Sequence, residues 1–310
     1  MGVTAQVTPR PLVVWRLLDG KPGHENQSLG LAQALAELPP VEIHDVPVGP
    51  AWRAWLEWLS GQCSIGNGLP APDLLIGAGH RTHPWLLAGR RSRGGRTVVL
   101  MRPSLPASCF DLVVAPAHDR LAPGPGVLVT RGVLNAVRHG EPDESRPGLI
   151  LIGGPSDHYG WDETQLLEQL QLILQHERRP WCLTTSRRTP DSTLRALQAL
   201  PRTYLQILPW QDTPPGWLRE TLPGTPQVWI TEDSVSMVYE ALTAGAACGL
   251  LDVPSLKAGR VQYGVAELLR EGAVVSFADW AAGRPLLPPE EPYDEAMRCA
   301  RWIRQTWLAD

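Results

Sequence analysis

The sequence predicts an α/β protein made of two doubly wound, Rossmann-like domains. Three observations carry that prediction. Short apolar runs break off into glycine-rich or polar loops, and helical spacing usually follows. The runs are apolar at consecutive positions, as in parallel strands covered on both faces. The alternation halts at one charged segment, AVRHGEPDESRPG (136–148), and then restarts.

PLVVWRLL reads as the first strand. The connector DGKPGHENQ follows it, and then the helical SLGLAQALAEL. In that connector Gly20 and Gly23 let the chain turn, Pro22 stiffens it, and Asn26 or Ser28 is expected to cap the helix. AWRAWLEWLSG places Trp52, Trp55, Leu56 and Leu59 at helical spacing, with Trp58 beside them. PDLLIGAG leads into HRTHPWLLAGRR, and RTVVLMRPS, FDLVVAPAHD and GVLVTRGVLN are further strand-and-loop units.

After the charged linker come LILIGGPSDHYGWD with ETQLLEQLQLILQHE, RPWCLTTSRRTP with STLRALQAL, and YLQILPW. QVWITEDS with VSMVYEALTAGA, and CGLLDVP, complete the series. The end, YDEAMRCARWIRQTWLAD, suits one amphipathic helix. The expected domains are therefore 1–140 and 148–290, with a last helix in 291–310 that could pack back on the first domain. Ligands of such sheets bind at the carboxyl ends of the strands, and the two sheets are expected to face each other across a cleft.

A net charge of −4 supplies no global positive field, so nucleic acid is not an expected partner. The five cysteines (Cys63, Cys109, Cys182, Cys248, Cys299) are scattered without a CxxC pair and read as reduced thiols. The apolar run before Asp19 is too short and interrupted for a signal peptide or a membrane span. A cytoplasmic protein is the expectation, with peripheral contact at the inner membrane as a further option. No Asp-x-Asp occurs and no ligand set has metal spacing beyond His80 and His83, so neither a metal nor a resident cofactor is expected.

Five stretches could carry chemistry. In TEDSVSMVYEALTAGA a strand ends at Thr231 and a helix begins near Ser236, capped by Ser234 or Ser236. Such a helix start is a natural diphosphate seat. Glu240, one or two turns in, could accept sugar hydroxyls. Glu232 and Glu240 form an acid pair around Asp233. Gly153 and Gly154, followed by Ser156, let backbone approach a phosphate. Ser186, Arg187 and Arg188 suit a diphosphate or an anionic acceptor. His80, Arg81 and His83, then Arg102 and Ser104, then His118 and Asp119, stand at three successive strand ends. Fifth, the Trp52–Leu59 helix reads either as packed on its own domain or as touching a membrane surface or a partner.

Taken together, DGKPGHENQ, GAGHRTH, VVLMRPS, LILIGGPSDHY, LTTSRRTP and TEDSVSMVYEALTAG resemble one family. It is that of the plant mitochondrial fission factor named for elongated mitochondria, with its bacterial relatives. The resemblance runs from about residue 12 to 275, and the chain looks like a bacterial member. It implies a GT-B-like fold and a nucleotide sugar as co-substrate, held by Gly153, Gly154, Ser156, Ser186, Arg187, Arg188, Asp233, Ser234, Ser236, Met237 and Glu240. Ser234 and Ser236 would face the diphosphate, Glu240 the ribose, and Glu232 the donor sugar. Whether the outcome is retaining or inverting stays open.

His24 is the candidate base, with Asp19 or Glu25 orienting or replacing it. The bacterial N-acetylglucosaminyltransferase that completes the peptidoglycan lipid precursor has a similar Gly-Gly-His loop, which is the analogy for His24. Lys21, His80, Arg81, Arg102 and His118 would line the acceptor side, the acceptor being lipid-linked or an envelope saccharide. Two other functions remain compatible: a non-catalytic adaptor, since the plant member is implicated in recruiting a dynamin-related protein, and a nucleotide-sugar epimerase.

Overall fold

A computed structural model of the chain describes residues 10–38, 40–201, 203–256 and 260–308. The first nine residues, part of the segment read above for targeting signals, lie outside it, as do the last two of the final helical pattern. The chain divides into two compact units, one of Met1–Ala136 with Glu295–Asp310, the other of Val137–Asp294.

In the first unit the order is β1 (Leu12–Leu18), α1 (Pro22–Ala36), β2 (Val41–Pro47), α2 (Ala51–Ser60), β3 (Leu74–Ala78), α3 (His83–Arg93), β4 (Arg96–Leu100), β5 (Leu112–Pro116) and β6 (Val127–Thr130). The second unit runs β7 (Gly148–Leu151), α4 (Glu163–His176), β8 (Trp181–Thr184), α5 (Asp191–Gln198), β9 (Leu205–Leu208), α6 (Trp217–Thr221), β10 (Gln227–Thr231), α7 (Val235–Thr243), β11 (Ala247–Leu251), α8 (Arg260–Arg270), β12 (Val275–Ser276) and α9 (Phe277–Ala281). α10 (Glu295–Trp307) belongs to the first unit: Ala296, Cys299, Ala300 and Ile303 join Leu31 and Leu35 of α1 in one core cluster.

Each unit holds a six-stranded sheet whose strands pair in parallel. The orders are β2-β1-β3-β4-β5-β6 and β12-β11-β10-β7-β8-β9. The strand order reverses between β1 and β3 in the first sheet, and between β7 and β10 in the second. At such a switch point the helices leave the sheet on opposite faces and open a crevice beyond the strand ends, where doubly wound proteins bind ligands. The fold thus nominates two places before any side chain is considered.

Tryptophan and glycine are matched across neighbouring strands. Gly148 of β7 pairs with Trp181 of β8, and Gly249 of β11 with Trp229 of β10. A Cβ at Gly148 would stand 2.4 Å from the Trp181 ring, and one at Gly249 2.5 Å from Trp229. Both indoles are at most 1% exposed. Burying a ring of that size yields a large hydrophobic gain only because the opposing residue lacks a side chain.

Two readings from the sequence need correction. The polar stretch as far as Gln27 is not a connector: α1 begins at Pro22, with Lys21 as N-cap and no side-chain cap, so neither Asn26 nor Ser28 caps it. Proline at the first helical position loses no hydrogen bond and has its φ preset, which starts the helix early. The strand β2 and the elements α6, α8, β12 and α9 carried no sequence assignment. β2 is an edge strand on which Val46 is the one fully buried side chain, so its pattern lacks the apolar run used to find the others.

Candidate functional site

At the first switch point β1 ends at Leu18, and α1 begins after three intervening residues. This places His24 in the first turn of α1, facing the buried Asp19. His24 Nδ1 lies 2.9 Å from Asp19 Oδ2, and the Lys21 N–H donates to Asp19 Oδ1 at 3.1 Å. The Asp19 side chain is 1% exposed and that of His24 20%. A carboxylate on Nδ1 selects the tautomer with its proton there and leaves Nε2 as a lone pair. Nε2 has no partner among the described residues.

The end of β3 makes room for this ring. Gly79 has φ +82°, and a Cβ there would stand 2.3 Å from the imidazole. Glycine is therefore required twice over, for its backbone conformation and for the space. Arg16 of β1, itself buried, holds the turn from below. It donates to Asp45 at 2.7 Å and to the Glu25 carbonyl at 2.9 Å. Of the two acids considered for orienting His24, Asp19 makes the contact, while the Glu25 carboxylate accepts the Gly20 N–H at 3.1 Å.

Three imidazoles gather here. His83 is 1% exposed, and its pKa is pushed down to about 4 by burial first, then by the charges His80 and His24 would carry. Its Nδ1 meets Ser104 Oγ at 3.0 Å, while Nε2 is buried without a partner among the described residues. Arg81 reaches the Asp19 carbonyl at 3.3 Å. One and two strands further on, the Arg102 N–H donates to Asp119 at 3.0 Å, and His118 sits in the turn after β5. Met101, at the end of β4, has φ +72°, a strained conformation for a residue with a side chain, and its sulfur accepts from Gln27. Gly79, Met101 and Gln27 were not singled out from the sequence, since nothing local marks them.

At the second switch point the loops after β7, β8 and β10 are tied into one unit. The Gly153 N–H donates to Thr231 Oγ1 at 2.8 Å, and the Gly154 N–H to Asp233 Oδ2 at 3.1 Å. Arg188 donates to the same oxygen at 2.6 Å, and Thr189 Oγ1 to the Gly153 carbonyl at 2.5 Å. A Cβ on Gly153 would meet the Asp233 carboxylate at 2.3 Å, and one on Gly154 the Arg188 carbonyl at 2.2 Å. Both glycines are thus fixed by packing. Asp233 has a fully buried side chain whose Oδ1 has no hydrogen-bond partner among the described residues.

Ser156 closes a turn, accepting the N–H groups of His158 and Tyr159. Ser186 accepts the Arg188 N–H, and Arg187 lies 5.8 Å from the Trp210 ring centre. α7 starts at Val235. Ser234 is its N-cap but makes no side-chain cap bond, Ser236 is exposed, and Met237 and Glu240 are half-buried. The first-turn N–H groups of such a helix have no intrahelical acceptor.

Glu232 lies beside this helix start. Its pKa is raised to about 7, by burial first and then by Asp252 and Asp233. Tyr159 is raised to about 12 by burial first, then by Glu232 and Asp233. A half-buried carboxyl of this kind holds or releases a proton near neutral pH. Asp252, Tyr159 and Thr189 carry no signal in the sequence, and Thr231 reads there only as a strand end, because their role is set by loops that only the sheet brings together. Among the described residues no three His, Cys, Asp or Glu side chains could hold a metal ion, and no helix is long and apolar enough to cross a membrane.

Comparison with solved structures finds the same fold elsewhere. The putative UDP-N-acetylglucosamine 2-epimerase of Listeria monocytogenes matches with a TM-score of 0.55 at 11% identity, over 97% of this chain and 98% of that one. The S. aureus MnaA–UDP co-structure matches at 0.50 and 11% identity, over 94% and 87%. The glycotransferase of kitacinnamycin matches at 0.50 and 12% identity, over 96% and 99%. At these identities the likeness establishes the fold, which is GT-B-like with two Rossmann-like domains. No curated protein matches the chain by sequence. The family model described as Mitochondrial fission ELM1 matches residues 22–307, nearly the whole chain, and the protein therefore belongs to that family.

Proposed function

We propose that the protein is a GT-B-type glycosyltransferase that moves a sugar from a nucleotide-sugar donor to a lipid-linked or saccharide acceptor hydroxyl. The observation that carries this reading is the Asp19–His24 pair at the first switch point. It has a buried carboxylate on Nδ1, a free Nε2, and a glycine shaped around the ring. That is the arrangement of an oriented general base. The acceptor oxygen attacks the anomeric carbon as its proton passes to Nε2. The bond from the anomeric carbon to the diphosphate oxygen breaks, and the nucleoside diphosphate leaves.

The second unit carries the donor in this reading. The start of α7, with the Ser234 hydroxyl and the N–H groups of residues 235–237, takes the diphosphate. Arg187 adds positive charge, and Glu240 accepts the ribose hydroxyls. Arg188 is committed to Asp233 and acts by holding the loop rather than by touching phosphate. Glu232, titrating near neutral pH, hydrogen-bonds the donor sugar. No resident metal is needed for this scheme, because the helix start and Arg187 stabilise the leaving group.

The test is a thermal-shift titration with UDP-, GDP-, ADP- and CMP-sugars, followed by turnover of whichever donor binds. The expected result is a saturable shift with one base class. His24→Ala should then lower turnover by about 10²-fold or more while leaving the shift intact. No shift with any nucleotide overturns the reading, and unchanged turnover in His24→Ala removes His24 from the mechanism.

A further inference from the structure

The helix α2 leaves an apolar row uncovered. Trp52, Trp55, Leu56 and Leu59 are 65%, 37%, 57% and 67% exposed, and they fall at the i, i+3, i+4, i+7 positions of one face. The opposite face is used for folding: Ala54 is fully buried and Trp58 packs against the core of the first unit. None of the four belongs to the core itself, and Trp55 alone leans edge-on against Trp58, with ring centres 6.1 Å apart; leaving the row in water is unfavourable.

Glu57, the acid of α2, is taken up by Arg53, the Ser64 N–H and the Ser64 hydroxyl. The last turn of the neighbouring α3 carries Arg90, Arg91 and Arg93, of which Arg90 is paired with Asp111. Arg91 is exposed, lies 5.1 Å from the Trp58 ring centre, and has no carboxylate partner among the described residues. Tryptophan and leucine on one side of a short surface helix, with the guanidinium of Arg91 against Trp58 of the same helix, match the interfacial layer of an anionic bilayer. There indoles sit at headgroup depth and guanidinium groups meet lipid phosphates.

A second copy of the chain fits less well. With about 250 Å² for a whole Trp side chain, the four residues expose roughly 500 Å² together, against about 800 Å² per partner in a stable interface. We infer that α2 is a membrane-docking helix, which inserts Trp52, Trp55, Leu56 and Leu59 into the interface of an anionic bilayer while Arg91 contacts the headgroups. This assignment does not rest on the glycosyltransferase reading.

Co-sedimentation of the full chain with phosphatidylcholine vesicles containing 30% phosphatidylglycerol tests it, with pure phosphatidylcholine vesicles as the second arm. The expected result is binding to the anionic vesicles that is at least tenfold weaker to the neutral ones. The triple substitution Trp52→Ser, Leu56→Ser, Leu59→Ser should lower binding at least tenfold at an unchanged melting temperature, since all three side chains are exposed. Arg91→Glu should lower it severalfold, on the anionic vesicles alone. Failure to bind either vesicle overturns the proposal, as does binding that the triple variant retains. A dimer in light scattering that the triple variant dissolves, without vesicle binding, assigns the face to a second copy and overturns it equally.

Discussion

The first crossover of each unit solves the same problem with opposite materials. From β1 to α1 the chain spends three residues, starts the helix on a proline and puts a histidine in the first turn. From β7 to α4 it spends eleven, 152 to 162, and caps the helix with Asp162, which accepts the Gln165 N–H at 3.0 Å. The short crossover presents a side chain, His24, on a helix and needs space only from Gly79. The long one presents backbone and needs Asp233, Arg188, Thr189 and Thr231 to hold it. The two sites also carry opposite proton preferences. Burial keeps His83 neutral in the first and Glu232 protonated to near neutral pH in the second. A strand end can thus be made to shed a proton or to keep one by what is buried beside it, without a change of fold.

The sharpest way to break this contrast is a methyl group. Gly154→Ala drives a Cβ into the Arg188 carbonyl and should cost about 3 kcal/mol in urea unfolding. Gly23→Ala, in the first turn of α1 where the short crossover ends, meets nothing within 4 Å, and should gain about 0.5 kcal/mol from helix propensity. A loss of the same size at both positions would show that the two crossovers are equally packed.

The proton preferences give effects of opposite sign. Glu232 has a folded pKa near 7, above its unfolded value, so the native state binds the extra proton and stability falls as pH rises from about 4.5 to 7. Glu232→Gln should therefore raise stability at pH 8 by about 2 kcal/mol relative to pH 5. The measurement is urea unfolding at the two pH values, and an equal change at both would remove the effect from Glu232. His83 has a folded pKa near 4, below its unfolded value, so the unfolded state takes the proton first and stability falls as pH drops from about 6.5 to 4. His83→Gln should flatten that acid limb by about 2 kcal/mol. Hydrogen-exchange protection of β3 amides, corrected for intrinsic rates, reads it separately from β10.

The smallest difference lies in the caps. Asp162→Ala should cost about 1 kcal/mol through the lost cap of α4. Lys21→Ala, at a helix start with no side-chain cap, should stay within about 0.5 kcal/mol. Thermal melts of the two variants side by side decide whether the proline start has replaced the cap.

Much of this architecture was legible in the residues. The consecutive apolar runs marked ten of the twelve strands found among the described residues, because strands buried on both faces have few polar positions. β2, at a sheet edge, and β12, two residues long, escaped for the same reason. His24 and Asp19 stood out because one polar run held them both. Their contact, and the tie of Arg188 to Asp233 across 45 residues of chain, did not.

The sequence by itself determined the class: alternation of apolar runs and helical periods, glycines at strand ends, and a break between two series. These are local properties, set by the period of each element and the conformations its residues tolerate. Only the tertiary structure decided which strand ends adjoin, β1 with β3 and β7 with β10. Strand order depends on contacts between residues far apart in the chain, which no local pattern encodes. The same limit applies to α2. Its period is the same whether its apolar face is buried or bare, and only the packing of the first unit left Trp52 and its neighbours in water.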